Sequence, residues 1–274
     1  MNDLLNHPVI QGGVAPFVAA LIVALVLGRV RFGGLAVLAG FCATVQLVSG
    51  FVFEPLSATR KIVALALAAP LIGILLDFAF KPTRLGTAIL ALAAAAATLW
   101  VFWPILQQRD LKIVLTLGGS SALFIAWLVG FSQSFLSEHP IRAGAAGLGL
   151  GLGVGISAVL GASALYGIYG VSLGATAGAF LLPQMLSGKK YEAGATFTLP
   201  LTLTGGLLAA ATLILAQLPW YSLLALAFIP LAARLPAPEK SPLWVQAVTI
   251  SACTLAVAAA AVALTWQSGG RLPT

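Results

Sequence analysis

Long apolar runs separated by short clusters of charge, proline and glycine set the pattern of this chain. Ten such runs follow one another, at about 9–28, 33–53, 62–80, 85–106, 112–134, 143–165, 168–187, 195–217, 219–234 and 243–266. Each is close to the roughly 20 residues that cross a hydrocarbon core of about 30 Å. The pattern predicts an all-α, polytopic membrane helical bundle of about ten transmembrane helices, with eight or nine as the competing count. Two runs are candidates for broken or re-entrant elements: the Gly-rich seventh, ending in LLPQMLSG, and the short ninth, with Pro230 close to its end. The first run is long enough to span and has no basic stretch ahead of it, so it reads as a retained helix rather than a cleaved signal.

Composition adds the environment. Of 274 residues, 60% are hydrophobic and 8% charged, and the connections are too short to hold a soluble domain. The formal net charge of +7 sits in those connections, where it carries orientation rather than affinity for nucleic acid. Alternate loops and their flanks hold Arg29, Arg31, Lys81, Arg84, Arg142, Lys189, Lys190, Arg234 and Lys240, while the opposite set holds Arg60, Lys61, Arg109, Lys112 and Arg271. Nine against five predicts that both termini lie outside the cytoplasm of what reads as a bacterial inner (plasma) membrane. Trp244 and Trp266, about 33 Å apart at 1.5 Å per helical residue, suit anchors at the two interfaces of the tenth span.

The only two histidines each precede a proline and each opens one half of the chain, as HPVIQGG at 7–13 and HPIRAGA at 139–145. The second spans of the two halves end in QLVSG (46–50) and QMLSG (184–188), with Glu54 and Glu192 following at the same distance. Pro70-Leu71 and Pro200-Leu201 recur in the third spans, once short gaps are allowed. The halves are then 1–138 and 139–274 of a single membrane domain. Five spans per half is an odd number, so a duplication would set the halves in opposite senses, the 5+5 inverted repeat of many secondary transporters. Several ten-helix carrier families share this layout, drug/metabolite and auxin-efflux types among them, but no stretch carries a family signature. A shared layout is a weak warrant for function.

Chemistry-bearing residues are few. Gln46 and Gln184 fall within the hydrocarbon thickness by helix rise, with Ser49 and Ser187 one turn on, and a primary amide can bind a polar solute without bringing charge into the bilayer. These four are the expected substrate-binding residues, converging on the interface between the halves. Asp77 is the only acid within a span, and Lys81 four residues on predicts an interfacial ion pair. Gly147, Gly151 and Gly155 in the sixth span and Gly170, Gly174 and Gly178 in the seventh form one-faced ladders that predict a close central contact, with Gly149 and Gly153 adding a second stripe. Threonines 196, 198, 202 and 204 read as hydroxyls satisfied by their own helix. His7 and His139 at span ends, isolated Cys42 and Cys253, and the lack of any HExxH, GxSxG or Walker pattern predict no cofactor, no metal and no enzyme.

The expected function is that of a secondary carrier or facilitator for a small neutral or weakly polar solute, working by alternating access between inverted halves. The alternative is a non-transporting anchor or assembly subunit of a larger membrane complex, with a membrane protein as its partner besides the lipid bilayer. A polar cavity between the halves would mark the carrier, and a solid core with apolar grooves the assembly subunit. The loop charges generate the first prediction: single cysteines at positions 3 and 271 should react with an impermeant maleimide from outside intact cells. Labelling of either one only from the cytoplasmic side would reverse the topology.

Overall fold

The computed structural model describes residues 7–28, 32–79, 83–216, 218–236 and 241–268. Ten helical segments follow in chain order: α1 (Ile10–Leu27), α2 (Leu35–Val48), α3 (Ala58–Ala79), α4 (Arg84–Leu106), α5 (Leu111–Phe135), α6 (Pro140–Leu160), α7 (Ala164–Ser187), α8 (Gly194–Leu215), α9 (Trp220–Ala232) and α10 (Leu243–Gln267). Each overlaps one of the ten apolar runs, and no strand occurs among the described residues. Eight are long and apolar enough to cross a membrane, so the chain is an integral membrane protein. The exceptions are α9 and the 14-residue α2, which reaches about 21 Å at 1.5 Å per residue.

Local chemistry explains the boundaries. Pro140 occupies the first position of α6, and Pro8 likewise opens the helical stretch that leads into α1. Proline's fixed φ suits a helix start, and its missing N–H would be unpaired there anyway. The two SG pairs end helices. Gly50 and Gly188 have φ of +64° and +63°, a left-handed conformation that costs glycine little. The Ser49 and Gly50 N–H groups both donate to the Val45 carbonyl at 3.0 and 2.9 Å, and the Gly188 N–H donates to that of Gln184 at 3.0 Å. The repeated HP and QxxSG motifs are therefore matching start and stop signals in the first two helices of each half.

The expected break in the seventh span is corrected: α7 runs unbroken over Ala164–Ser187 through Pro183. Proline there removes one hydrogen bond, and the buried packing of Phe180, Leu181 and Gln184 keeps the flanking turns in register. The short ninth run does break, at Phe228 ahead of Pro230. Both α1 and α5 carry a π-helical turn, Ile10–Val14 and Val114–Gly118, each at a Gly-Gly pair.

Three helices form the centre. In α8, 83% of the apolar window is buried against 28% in α1 and α4, so α6, α7 and α8 are the inner layer and the outer helices face lipid. The most extensive pair is α6 with α7, followed by α6 with α10 and α3 with α8. The glycine ladders make the first of these possible. A Cβ on Gly151 would lie 2.6 Å from the Gly174 Cα, and one on Gly170 2.6 Å from the Gly155 Cα, so the two backbones touch. Gly147 faces Leu201 of α8 as well as Ala177, while Gly149 and Gly153 turn to Thr254 and Ala258 of α10. Gly178 stands apart, since a Cβ there meets nothing closer than Leu148 Cδ1 at 3.7 Å.

The ladder thus has tight and loose rungs. Gly151→Leu should destabilise the bundle by at least about 3 kcal/mol through forced separation of α6 and α7, whereas Gly178→Ala should change stability by less than about 1 kcal/mol. Unfolding titrations in mixed micelles would check this, and equal stability of both variants would remove α6–α7 from the centre.

Candidate functional site

Several of the side-chain hydrogen bonds between helices lie at the two ends of the bundle. At one end α2 stops and α3 and α7 begin. Ser49 Oγ lies 2.9 Å from the Tyr169 hydroxyl and Thr59 Oγ1 3.0 Å from that of Tyr166. The two tyrosines lie three residues apart and so share one face of α7; both are buried. Beside them, Gln11 Nε2 donates to the Leu47 carbonyl at 3.2 Å, and Thr44 Oγ1 donates to the Gln11 carbonyl at 2.9 Å. The π turn explains the second bond. Within it the Ala15 N–H bonds the Ile10 carbonyl, so the next donor in that register would be residue 16, a proline with no N–H. Thr44 supplies the missing donor from the neighbouring helix.

At the opposite end, α3 finishes against the start of α8. Asp77 accepts from the Ala195 N–H at 2.7 Å, the Thr196 N–H at 2.8 Å and the Thr196 hydroxyl at 2.6 Å. A carboxylate from α3 thereby caps the N-terminus of α8, where the unpaired N–H groups and the helix dipole favour negative charge. Gly73 makes the approach possible, because a Cβ there would lie 2.6 Å from the Thr196 Cα. Phe180 stacks on Phe197 at 4.2 Å between ring centroids and closes the same end. Two further links tie neighbours to this region: Gln133 Nε2 donates to Thr198 Oγ1 at 2.8 Å, and Arg142 Nη1 donates to the Ala233 and Leu235 carbonyls at 2.8 and 2.9 Å, capping the end of α9.

The four residues expected to bind substrate do not converge. Ser49 is bonded to Tyr169, and Ser187 lies at the far end of the same helix, about 27 Å further on at 1.5 Å per residue. The reason is antiparallel packing. QxxSG marks the ends of α2 and α7, so the two copies lie at opposite faces of the bundle and cannot meet at its midplane. Gln184 is fully buried, but its amide is engaged: Nε2 donates to the Phe180 carbonyl at 2.9 Å, and Oε1 accepts the Tyr191 N–H at 3.0 Å, closing the turn after α7. Ser187 is exposed and accepts the Lys189 N–H within that turn. Gln46 is exposed on α2 and its amide makes no hydrogen bond among the described residues. For Asp77 the partner is the α8 N-terminus; Lys81, its expected ion pair, lies outside the described residues. Thr198 and Thr202 bond carbonyls of their own helix as expected, at 2.8 and 2.7 Å, whereas the Thr196 hydroxyl departs from that expectation and donates to Asp77.

Sequence reasoning missed Gln11, Thr44, Tyr166, Tyr169 and the burial of Lys61. Lys61 sits in the first turn of α3 with its side chain 8% exposed, its Nζ 3.1 Å from the Trp100 carbonyl and 4.6 Å from the centre of the Trp100 ring. The available signal was Pro104, which removes the donor that would have paired Trp100. A tyrosine pair in a glycine-rich span was another.

Open space lies at the periphery. A recess of about 520 Å³ runs along the outer face of α6 and α10, and another of about 400 Å³ lies where α4 meets α5. Between α5, α6, α8 and Pro230 of α9 lies a cavity of about 10 Å³, room for one water, lined in part by Ser132, whose buried hydroxyl has no partner among the described residues. The core ends therefore offer structural hydrogen bonds to the chain itself. No known family model matches the chain, and no curated protein is significantly similar to it.

The two ends differ in strength. Asp77→Ala, which leaves several N–H groups of α8 unpaired, should cost about 3 kcal/mol, and Tyr169→Phe, which removes one neutral hydrogen bond, about 1 kcal/mol. Unfolding titrations would rank them, and a smaller loss for Asp77→Ala would rule out the carboxylate as the cap of α8.

Proposed function

We propose that the chain is a membrane-embedded assembly subunit, held in a bacterial plasma membrane with both termini outside, that receives a transmembrane helix of a partner protein. The observation that carries this reading is the distribution of space: a cavity between α5, α6 and α8 is water-sized, and a far larger apolar groove runs along α6 and α10. Gly153, Ala258, Ala259 and Ala263 form its small-residue floor, with Leu152, Ile156, Leu255 and Val262 around them. Lipid tails are as apolar as leucine, so helices associate in a bilayer through close packing, which small residues allow. Trp266, 53% exposed, and Gln267 mark the end of the groove at the interface.

A carrier of a small neutral solute is the second reading, favoured by the helix pairings. The equivalent helices α3 and α8, bearing Pro70 and Pro200, pack on each other, as do α2 and α7, and α1–α2 pairs as α6–α7 does. A two-fold axis in the membrane plane would produce those pairings. The strong α6–α10 pair has no comparable counterpart between α1 and α5, which weighs against full symmetry. On this reading Gln46 and Ser49, beside Tyr169, remain as solute contacts, without Gln184 and Ser187.

A photo-crosslinking residue at position 259 or 263 separates the two. In native membranes it should give one discrete adduct with a second protein, lost when the other of these two exposed alanines is replaced by Leu. Adducts with lipid alone, together with solute uptake by the purified protein in proteoliposomes that Gln46→Leu abolishes, would replace the assembly role with transport.

A further inference from the structure

We propose that the corner where α4 turns into α5, closed by the end of α8, binds an anionic phospholipid of the surrounding bilayer. The recess of about 400 Å³ there has aliphatic walls from Ile105 of α4, Ile113 and Leu117 of α5 and Ile214 of α8, and its one charged lining residue is Arg109 in the connecting turn. Arg109 is exposed, and its guanidinium makes no ion pair or hydrogen bond among the described residues. The neighbouring acid, Asp110, stands at the N-cap of α5 without capping it through its side chain, and it does not line the recess.

The corner is shaped by two local features. The helix that forms its wall opens through the π turn Val114–Gly118, and Gly118 lets Leu106 pack close, since a Cβ there would lie 2.9 Å from the Leu106 Cδ1. Thr116 Oγ1 is turned to its own backbone, donating to the Lys112 carbonyl at 2.9 Å, so it adds no competing donor. The result is polarised along the membrane normal. A cation stands at the helix ends, and an aliphatic trough runs inward from it. A phosphodiester headgroup joined to an acyl chain has the complementary order, and a guanidinium pairs with phosphate oxygens through parallel N–H donors. A second copy of the chain seated by symmetry would bring Arg109 against Arg109. Anionic lipid meets the charge instead.

Native mass spectrometry of the purified protein, titrated with phosphatidylglycerol or phosphatidylcholine of identical chains, tests this. Phosphatidylglycerol should bind about fivefold more tightly, the contribution of one basic residue near a lipid surface. Arg109→Gln should remove that preference, Lys112→Gln, three residues on and outside the recess, should keep most of it, and Thr116→Trp, which fills the recess, should weaken both lipids. Equal affinities in the parent, or a Lys112→Gln loss as large as that of Arg109→Gln, would reduce the effect to diffuse surface attraction and overturn the site. Displacement of phosphatidylglycerol by millimolar inorganic phosphate would overturn the lipid as its occupant.

Discussion

A peptide N–H or C=O left unpaired in hydrocarbon costs several kcal/mol, and no water is at hand to relieve it. This chain interrupts its helices often, with prolines, π turns and a short second helix, and at some of these interruptions another part of the chain supplies a missing partner. Pro104 frees the Trp100 carbonyl, and Lys61 takes it. Pro16, in the register of the π turn, frees the Gln11 carbonyl, and Thr44 takes it. Where α9 breaks, Trp127 Nε1 donates to the Ala227 carbonyl at 3.0 Å. The start of α8 meets Asp77, and the turn after α7 closes on Gln184.

These pairings engage the charged and amide groups Asp77, Lys61 and Gln184. In a membrane protein the default reading of a buried charge or amide is a functional site, and here partly buried Asp77 and buried Lys61 and Gln184 all bond backbone. Each binds backbone, so each holds one interruption in place. The dense α6–α7–α8 centre depends on the same economy of space: glycine faces bring backbones together, and hydroxyls that bond their own helix leave little polar demand behind.

The recurring HP and SG pairs have a local explanation in helix starts and stops. HP starts a helix and SG stops one for reasons confined to a few residues, proline's missing donor and glycine's tolerance of positive φ. Those reasons hold equally in both halves. What the flanking glutamine does depends on what packs against it, and Gln46 faces outward while Gln184 is enclosed. Identical local grammar thus sits in unlike tertiary surroundings.

The sequence alone determined the helical bundle, the positions of its apolar helical segments to within a few residues, the weakness of the ninth and the glycine contact between the sixth and seventh spans. All of these follow from hydrophobic length, local backbone preference or spacing along one helix face, which are properties of contiguous residues. Only the tertiary structure decided that α2 ends short of a full span, that α7 continues through Pro183, that Asp77 caps α8, that Lys61 is buried on Trp100 and that the four expected solute residues lie at opposite ends. Each of these is a pairing between residues far apart in the chain, such as Asp77 with Thr196 or Ser49 with Tyr169. Such a pairing depends on the relative depth and rotation of two helices. Apolar sequence carries almost no information about either, because in lipid any face of an apolar helix can be turned outward at little cost.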